Sequence, residues 1–131
     1  MTDTATAALH RAEAEVSAAS LAWIATFNRG DFVGCSEGYT EAATMQGRPL
    51  ADIQGRPAIA DFWKSIVDQN PGELTYHDAR VHALDPTTAV LSARWTMENL
   101  GKGLITLERW EKQADGAWLL AEDIFELAEG V

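Results

Sequence analysis

Apolar residues recur at helical spacing in the first half of the chain and alternate with polar ones in the second. From Ala5 to Asn28 an alanine-rich stretch carries Leu9, Val16, Ala19, Ala22, Trp23 and Phe27 on one helical face. This predicts one long helix that ends at Asn28-Arg29-Gly30, with residues 1–4 loose ahead of it. Asp31 can cap a second, short helix running through Phe32, Val33 and Cys35 to Tyr39, because its side chain can accept from the free N–H groups of the first turn. Gly55-Arg56-Pro57 opens a third helix: proline tolerates the first turn, and Ile59, Phe62, Trp63, Ile66 and Val67 form the apolar face up to Asn70-Pro71-Gly72.

From Leu74 onward the period changes to two, and strands are expected at about 74–84, 88–98, 103–113 and 117–127. The breaks between them are Asp85-Pro86, Asn99-Leu100-Gly101-Lys102 and Asp115-Gly116, all short enough to force antiparallel neighbours. Helices first and a strand meander last give the α+β class, with the helices on one face of a curved antiparallel sheet. The 131 residues amount to a single domain, long enough to bury a core without disulfides or metal.

Charge narrows the partners. Twenty acidic residues against ten basic ones leave a formal charge of −10, which repels phosphate backbones and anionic lipid, so neither nucleic acid nor membrane is expected as a partner. The single cysteine, Cys35, excludes an internal disulfide, and its setting suggests a small core hydrophobe rather than a nucleophile. No apolar run approaches the roughly 20 residues of a membrane span, and no basic-then-apolar leader pattern is seen, so a cytoplasmic protein is expected. His10 lies apart, while His77 and His82, five residues apart, are expected on opposite faces of one strand; no metal site follows. No phosphate-binding glycine loop occurs, and no cofactor is expected.

Acids within the last two strands do change the picture. Glu108, Glu122 and Asp123 stand among apolar neighbours, where carboxylates are depleted, so an inward-facing member is a candidate for tuned acid–base chemistry. The segments Tyr39-Thr40-Glu41-Ala42-Ala43, Ile53-Gln54-Gly55-Arg56-Pro57-Ala58-Ile59-Ala60-Asp61-Phe62-Trp63 and Asp115-Gly116-Ala117-Trp118-Leu119-Leu120 resemble the nuclear-transport-factor-2-like superfamily, especially its SnoaL-like and ketosteroid-isomerase-like members. The resemblance covers essentially the whole chain. It implies a cone-shaped sheet with three N-terminal helices on its concave face, a deep apolar pocket between them, and homodimerisation. The scaffold hosts isomerases, dehydratases, cyclases, epoxide hydrolases and non-catalytic binding modules, so it specifies the fold better than the chemistry.

On the ketosteroid isomerase pattern, the oxyanion-hole tyrosine falls at Trp23, the general base at Gly47 and the oxyanion-hole acid at Glu108. Of the two supporting tyrosines, Tyr39 is kept and the other is replaced by Trp63. Steroid isomerisation is therefore not the expected activity. In the same register Leu91, Ala93, Trp95, Leu104, Thr106, Ala121, Asp123 and Phe125 face the pocket, which brings Glu108 and Asp123 together on neighbouring strands. The last strand also resembles that of limonene-type epoxide hydrolases, with Arg94-Trp95-Thr96 as the nearest match to their Arg-x-Asp pair. That reading needs Arg94 inward and Trp95 outward, the reverse of the first, and the sequence leaves the choice open.

The resulting expectation is a protein that binds a small, mostly apolar organic molecule. Glu108, Asp123 and Tyr39 are the catalytic candidates for isomerase, dehydratase or cyclase-type chemistry. Trp23, Phe27, Phe62, Trp63, Leu91, Trp95, Thr106 and Phe125 are the candidate substrate contacts, whereas Trp110 and Trp118 are expected to pack across the last hairpin. The alternatives are a non-catalytic ligand-binding or dimerisation module and an epoxide hydrolase-like enzyme. A homodimer through the outer sheet face, where Glu122 and Ile124 lie, is expected in each case.

Overall fold

The computed structural model describes residues 2–49 and 51–128, with side chains from Thr4 onward. Its elements are α1 (Thr2–Asn28), α2 (Phe32–Glu37), β1 (Tyr39–Arg48), β2 (Ala51–Gln54), α3 (Arg56–Val67), β3 (Leu74–Asp85), β4 (Thr88–Met97), β5 (Gly101–Lys112) and β6 (Trp118–Leu127). Residues 2–4, expected to be loose, continue the first helix, while Met1 lies outside the described residues.

Each helix has a local cause and a fixed attachment. In α1, Ala12, Val16, Ser20, Trp23, Ile24 and Phe27 are buried, a stripe that turns toward the sheet, whereas Ala22 is exposed. The α1 carboxylates also reach the sheet: Glu15 accepts from Trp118 Nε1 at 2.8 Å, and Glu13 accepts from the backbone N–H of Ala83 at 2.9 Å. At the end of α1, Asn28 exchanges two hydrogen bonds with the backbone of Leu74, joining the helix to the start of β3. Asp31 caps α2 by accepting from the Gly34 N–H at 2.9 Å. Pro57 sits in the first turn of α3, as its missing N–H permits.

The sheet has six strands in the order β2-β1-β6-β5-β4-β3. The β3 to β6 meander is antiparallel, as its short turns require. Beside it, β1 pairs antiparallel with β2 but parallel with β6, so the sheet as a whole is mixed rather than antiparallel throughout. No hairpin joins β1 to β6, which are far apart in the chain, so no turn length dictates their relative direction.

Four of the strands carry extra residues relative to a neighbour, one at each shift in β3, β5 and β6 and three in β1, and these irregularities decide which side chains face inward. In β5 the pairs Ile105–Phe125 and Leu107–Ile124 leave Thr106 unmatched, and β4 sees the same irregularity between Leu91 and Ala93. In β6 the shift falls at Ala121, between Leu120 and Glu122. In β3 one shift lies between His77 and Arg80, where Asp78 has φ +54°, and another between Ala83 and Asp85; in β1 the register shifts between Tyr39 and Thr44. Because the β3 bulge reverses the alternation, His77 and His82 both take outward positions, opposite Arg94 and Val90, rather than opposite faces. No helix among the described residues is long and apolar enough to cross a membrane.

Candidate functional site

A cavity of about 210 Å3 lies between α1, α3 and the sheet. Its wall is largely aromatic: Trp63 stacks on Phe125 with centroids 5.9 Å apart, and Phe62 and Trp23 meet Trp63 edge-on at 5.0 and 5.1 Å. Two glycines make this wall possible. A Cβ on Gly47 would stand 2.8 Å from the Phe125 ring, so the absence of a side chain lets Phe125 lie flat over β1. A Cβ on Gly103 would meet Glu126 O at 1.8 Å and Trp95 at 2.8 Å, so only glycine there allows the Trp95 indole to cross β5 and donate to Glu126 O at 3.2 Å. The rim carries the exposed side chains of Arg48 and Gln69.

Two buried carboxylates meet at this wall, on residues paired directly across β5 and β6. Asp123 is part of the cavity lining. Its Oδ2 accepts from Tyr39 Oη at 2.6 Å, and Tyr39 Oη accepts from Trp63 Nε1 at 3.2 Å. Asp123 Oδ1 is buried and has no hydrogen-bond partner among the described residues. Tyr39 is in turn anchored through its backbone carbonyl, which accepts from the Arg56 guanidinium at the start of α3.

Glu108 lies one layer back. Its Oε2 accepts from Tyr76 Oη at 2.6 Å and its Oε1 from Trp110 Nε1 at 3.0 Å, so both oxygens are engaged. Tyr76, not Glu108, lines the cavity.

Burial raises the pKa of both acids, because a charged carboxylate loses its hydration in the core. Glu108 is raised further by the neighbouring charge of Asp123; in each case the hydrogen bonds received oppose the shift. The two phenols are pushed well above their usual value, first by burial and then by the adjacent carboxylates, so Tyr39 and Tyr76 keep their protons. A pair of buried acids on paired residues favours one negative charge shared between them over two. Asp123, in the cavity lining, thus carries a buried oxygen with unused acceptor capacity, in an apolar setting where a carboxylate is a stronger base than in water.

Of the residues expected here, Asp123, Trp23, Phe62, Trp63, Trp95 and Phe125 line the cavity. Tyr39, Phe27 and Leu91 are buried behind that lining, with Phe27 stacked on Trp23. Thr106 is exposed on the outer face, as is Leu104, because the β5 bulge at Thr106 reverses the alternation and turns Ile105 inward instead. The choice between Arg94 and Trp95 falls to Trp95: Arg94 points outward and pairs with Asp78 at 2.7 Å, so the arginine of an epoxide hydrolase-like arrangement is absent from the cavity. Trp110 does more than pack, since its indole N–H holds Glu108. Tyr76 and Ile105 are additional lining residues. Period-two alternation from Leu74 points to Tyr76, whereas Ile105 could not be found without the bulge. Cys35 is fully buried, its thiol pushed up to about 12 mainly by burial, and its carbonyl accepts from Trp23 Nε1.

The pattern of the SnoaL-like domain matches residues 21–130. Among solved structures, an NTF-2-like protein of unknown function from Shewanella oneidensis is 20% identical over 86% of this chain and 96% of its own, with a TM-score of 0.71. A ketosteroid isomerase-like protein from Erwinia carotovora atroseptica is 19% identical over 89% and 96%, with a TM-score of 0.72. A protein from Catenulispora acidiphila in complex with S-DNPA is 14% identical over 87% and 91%, with a TM-score of 0.71. At these identities the likeness is one of fold. No curated protein matches the chain.

Proposed function

From a chain that belongs to the SnoaL-like domain family, we infer a protein that binds a small, mostly apolar, uncharged organic molecule and moves a proton on it with Asp123. The observation that carries this reading is the buried, unpartnered Oδ1 of Asp123 in the wall of an aromatic cavity. An oxygen in that position costs stability unless something in the cavity uses it. Tyr39, held by Trp63, fixes the second oxygen and so aims the first. The supported reaction class is isomerisation, dehydration or cyclisation, in which Asp123 takes a proton from carbon or oxygen and returns it elsewhere on the same molecule. A positioned base of this kind contributes about 10²–10⁴-fold.

Proton exchange at the α-carbons of small cyclic ketones in deuterium oxide, followed by NMR, tests the reading. Acceleration by the wild type that falls by about 10²-fold or more in Asp123→Asn supports it. Saturable binding of the same ketones without exchange favours the alternative, a non-catalytic binding module whose affinity comes from Trp23, Trp63, Trp95 and Phe125. We also propose a homodimer through the outer sheet face, where Leu104 is 48% exposed between Arg94 and Glu126, with the ion pair of Arg109 and Glu122 further along the strand. Sedimentation at micromolar concentration should give a dimer, and a strictly monomeric species rejects it.

A further inference from the structure

Trp95 differs from the other rings at the cavity wall. Trp23 packs on Phe27 and Trp63, and Trp63 on Phe62 and Phe125, so these five rings form one cluster. Trp95 stands outside it: among the described residues its indole has no aromatic partner, although it lines the same cavity and is only 7% exposed. Its placement is fixed from behind. The six-membered ring lies against Gly103, where a Cβ would come within 2.8 Å of Cε2 and Cζ2, and Nε1 donates to Glu126 O at 3.2 Å. The side turned away from Gly103 is therefore the side the cavity meets, held rigid in advance of any occupant. The indole N–H groups of Trp23 and Trp63 are likewise spent inside the protein, on Cys35 O and Tyr39 Oη. What the three indoles offer an occupant is ring carbon alone.

We propose that Trp95 is the stacking platform of the cavity and that the preferred occupant is a flat, conjugated molecule of one or two fused rings. The proposal rests on the reading of the cavity as a ligand site, and it gives the occupant a shape and a size. Shape follows from the open indole: aromatic pairs contribute beyond the area they bury, whereas a puckered saturated ring touches the same surface through fewer atoms. Size follows from the cavity volume of about 210 Å3. An apolar cavity of about 150 Å3 admits benzene, and sites for drug-sized molecules begin near roughly 300 Å3. Gly103 makes the platform possible, since a side chain there would lift the indole from β5 into the space the occupant needs.

The test measures affinities by calorimetry for acetophenone and cyclohexyl methyl ketone, which share a carbonyl and differ in the planarity of the ring. The wild type should bind acetophenone about fivefold more tightly. The two-ring 2-acetonaphthone should bind at least as well, and 2-acetylphenanthrene, with a third ring, about tenfold more weakly than the two-ring ketone. Trp95→Leu, which keeps an apolar contact without a ring, should bring the two small ketones to equal affinity and admit the three-ring one. Trp95→Phe should keep the preference for the flat ring. In the wild type, nuclear Overhauser contacts should connect the ring protons of bound acetophenone to the Trp95 indole, a readout that stands even where a variant fails to fold. The proposal is overturned, with the cavity reading intact, by a preference that survives in Trp95→Leu or by contacts to Trp63 and Phe62 without Trp95. Equal binding of the two small ketones by the wild type, or tight binding of the three-ring one, overturns it in the same way. Failure of every ketone to bind overturns the cavity reading and this inference with it. Proton exchange is not measured, so the role of Asp123 as a base is decided separately.

Discussion

Asp123 and Glu108 are paired across adjacent strands, share a sheet face and are almost equally removed from solvent, yet their hydrogen-bond surroundings differ. Asp123, in the cavity lining, has one oxygen bound by Tyr39 and the other buried without a partner among the described residues. Glu108 has both oxygens bound, by residues of two strands, and a phenol between it and the cavity. The lesson is that burial alone does not mark a reactive acid. What separates the two is unused hydrogen-bonding capacity on the cavity side, and that depends on which neighbours carry donors.

The contrast breaks most visibly in stability. Glu108→Ala strips Trp110 Nε1 of its acceptor in a dry layer and leaves a void, so urea denaturation should show a loss of about 2–4 kcal/mol. Asp123→Ala removes one hydrogen bond together with a buried oxygen that has no partner among the described residues, and its loss should stay below about 1.5 kcal/mol. Equal losses would mean that the two acids are equivalent supports.

A smaller effect sharpens the comparison through pH. Both acids hold their protons more tightly folded than unfolded, so their contribution to stability is greatest below the unfolded carboxylate values of about 4 and declines as pH rises through the raised folded values. The urea midpoint of the wild type should therefore fall from pH 4 toward pH 8, with most of the fall removed in Glu108→Gln, the acid with the larger shift. A midpoint rising over that interval would refute the upward shift of the pair.

The smallest expected change is at Thr106. As an exposed bulge residue it should accept valine with less than about 0.5 kcal/mol of effect and no change in affinity for small cyclic ketones. Weakened binding in Thr106→Val would return it to the cavity.

That residue also shows where the sequence stops being informative. The four strands of the meander and the α3 stripe are readable, because period and turn chemistry are local signals, while the pairing of Glu108 with Asp123 follows from the register that the family resemblance implies. The β1–β2 hairpin is not: Thr40-Glu41-Ala42-Ala43-Thr44 is small and weakly patterned, and β1 is held in place by the distant β6. Alternation counted back from Glu108 selects Thr106 and Leu104, and one extra residue turns that choice inside out. Bulges arise from the fit between strands, so no single strand announces them. The donors on Glu108 and Asp123 are equally remote, reaching across 32 residues from Tyr76 and 84 from Tyr39.

The bulge in β5 also divides that strand into two separately adjustable halves. Gly103 and Ile105, before it, shape the aromatic end with Trp95, and Glu108 and Trp110, after it, build the acidic end. A change of volume at Ile105 can alter which molecule fits without displacing the carboxyl three residues on, since the irregular residue absorbs the adjustment between them. Deleting Thr106 would remove that joint: restoring strict alternation would turn one half of the strand inside out relative to the other. The shape of the aromatic end and the setting of Glu108 can therefore diverge independently along one strand, provided the single unpaired residue between them is kept.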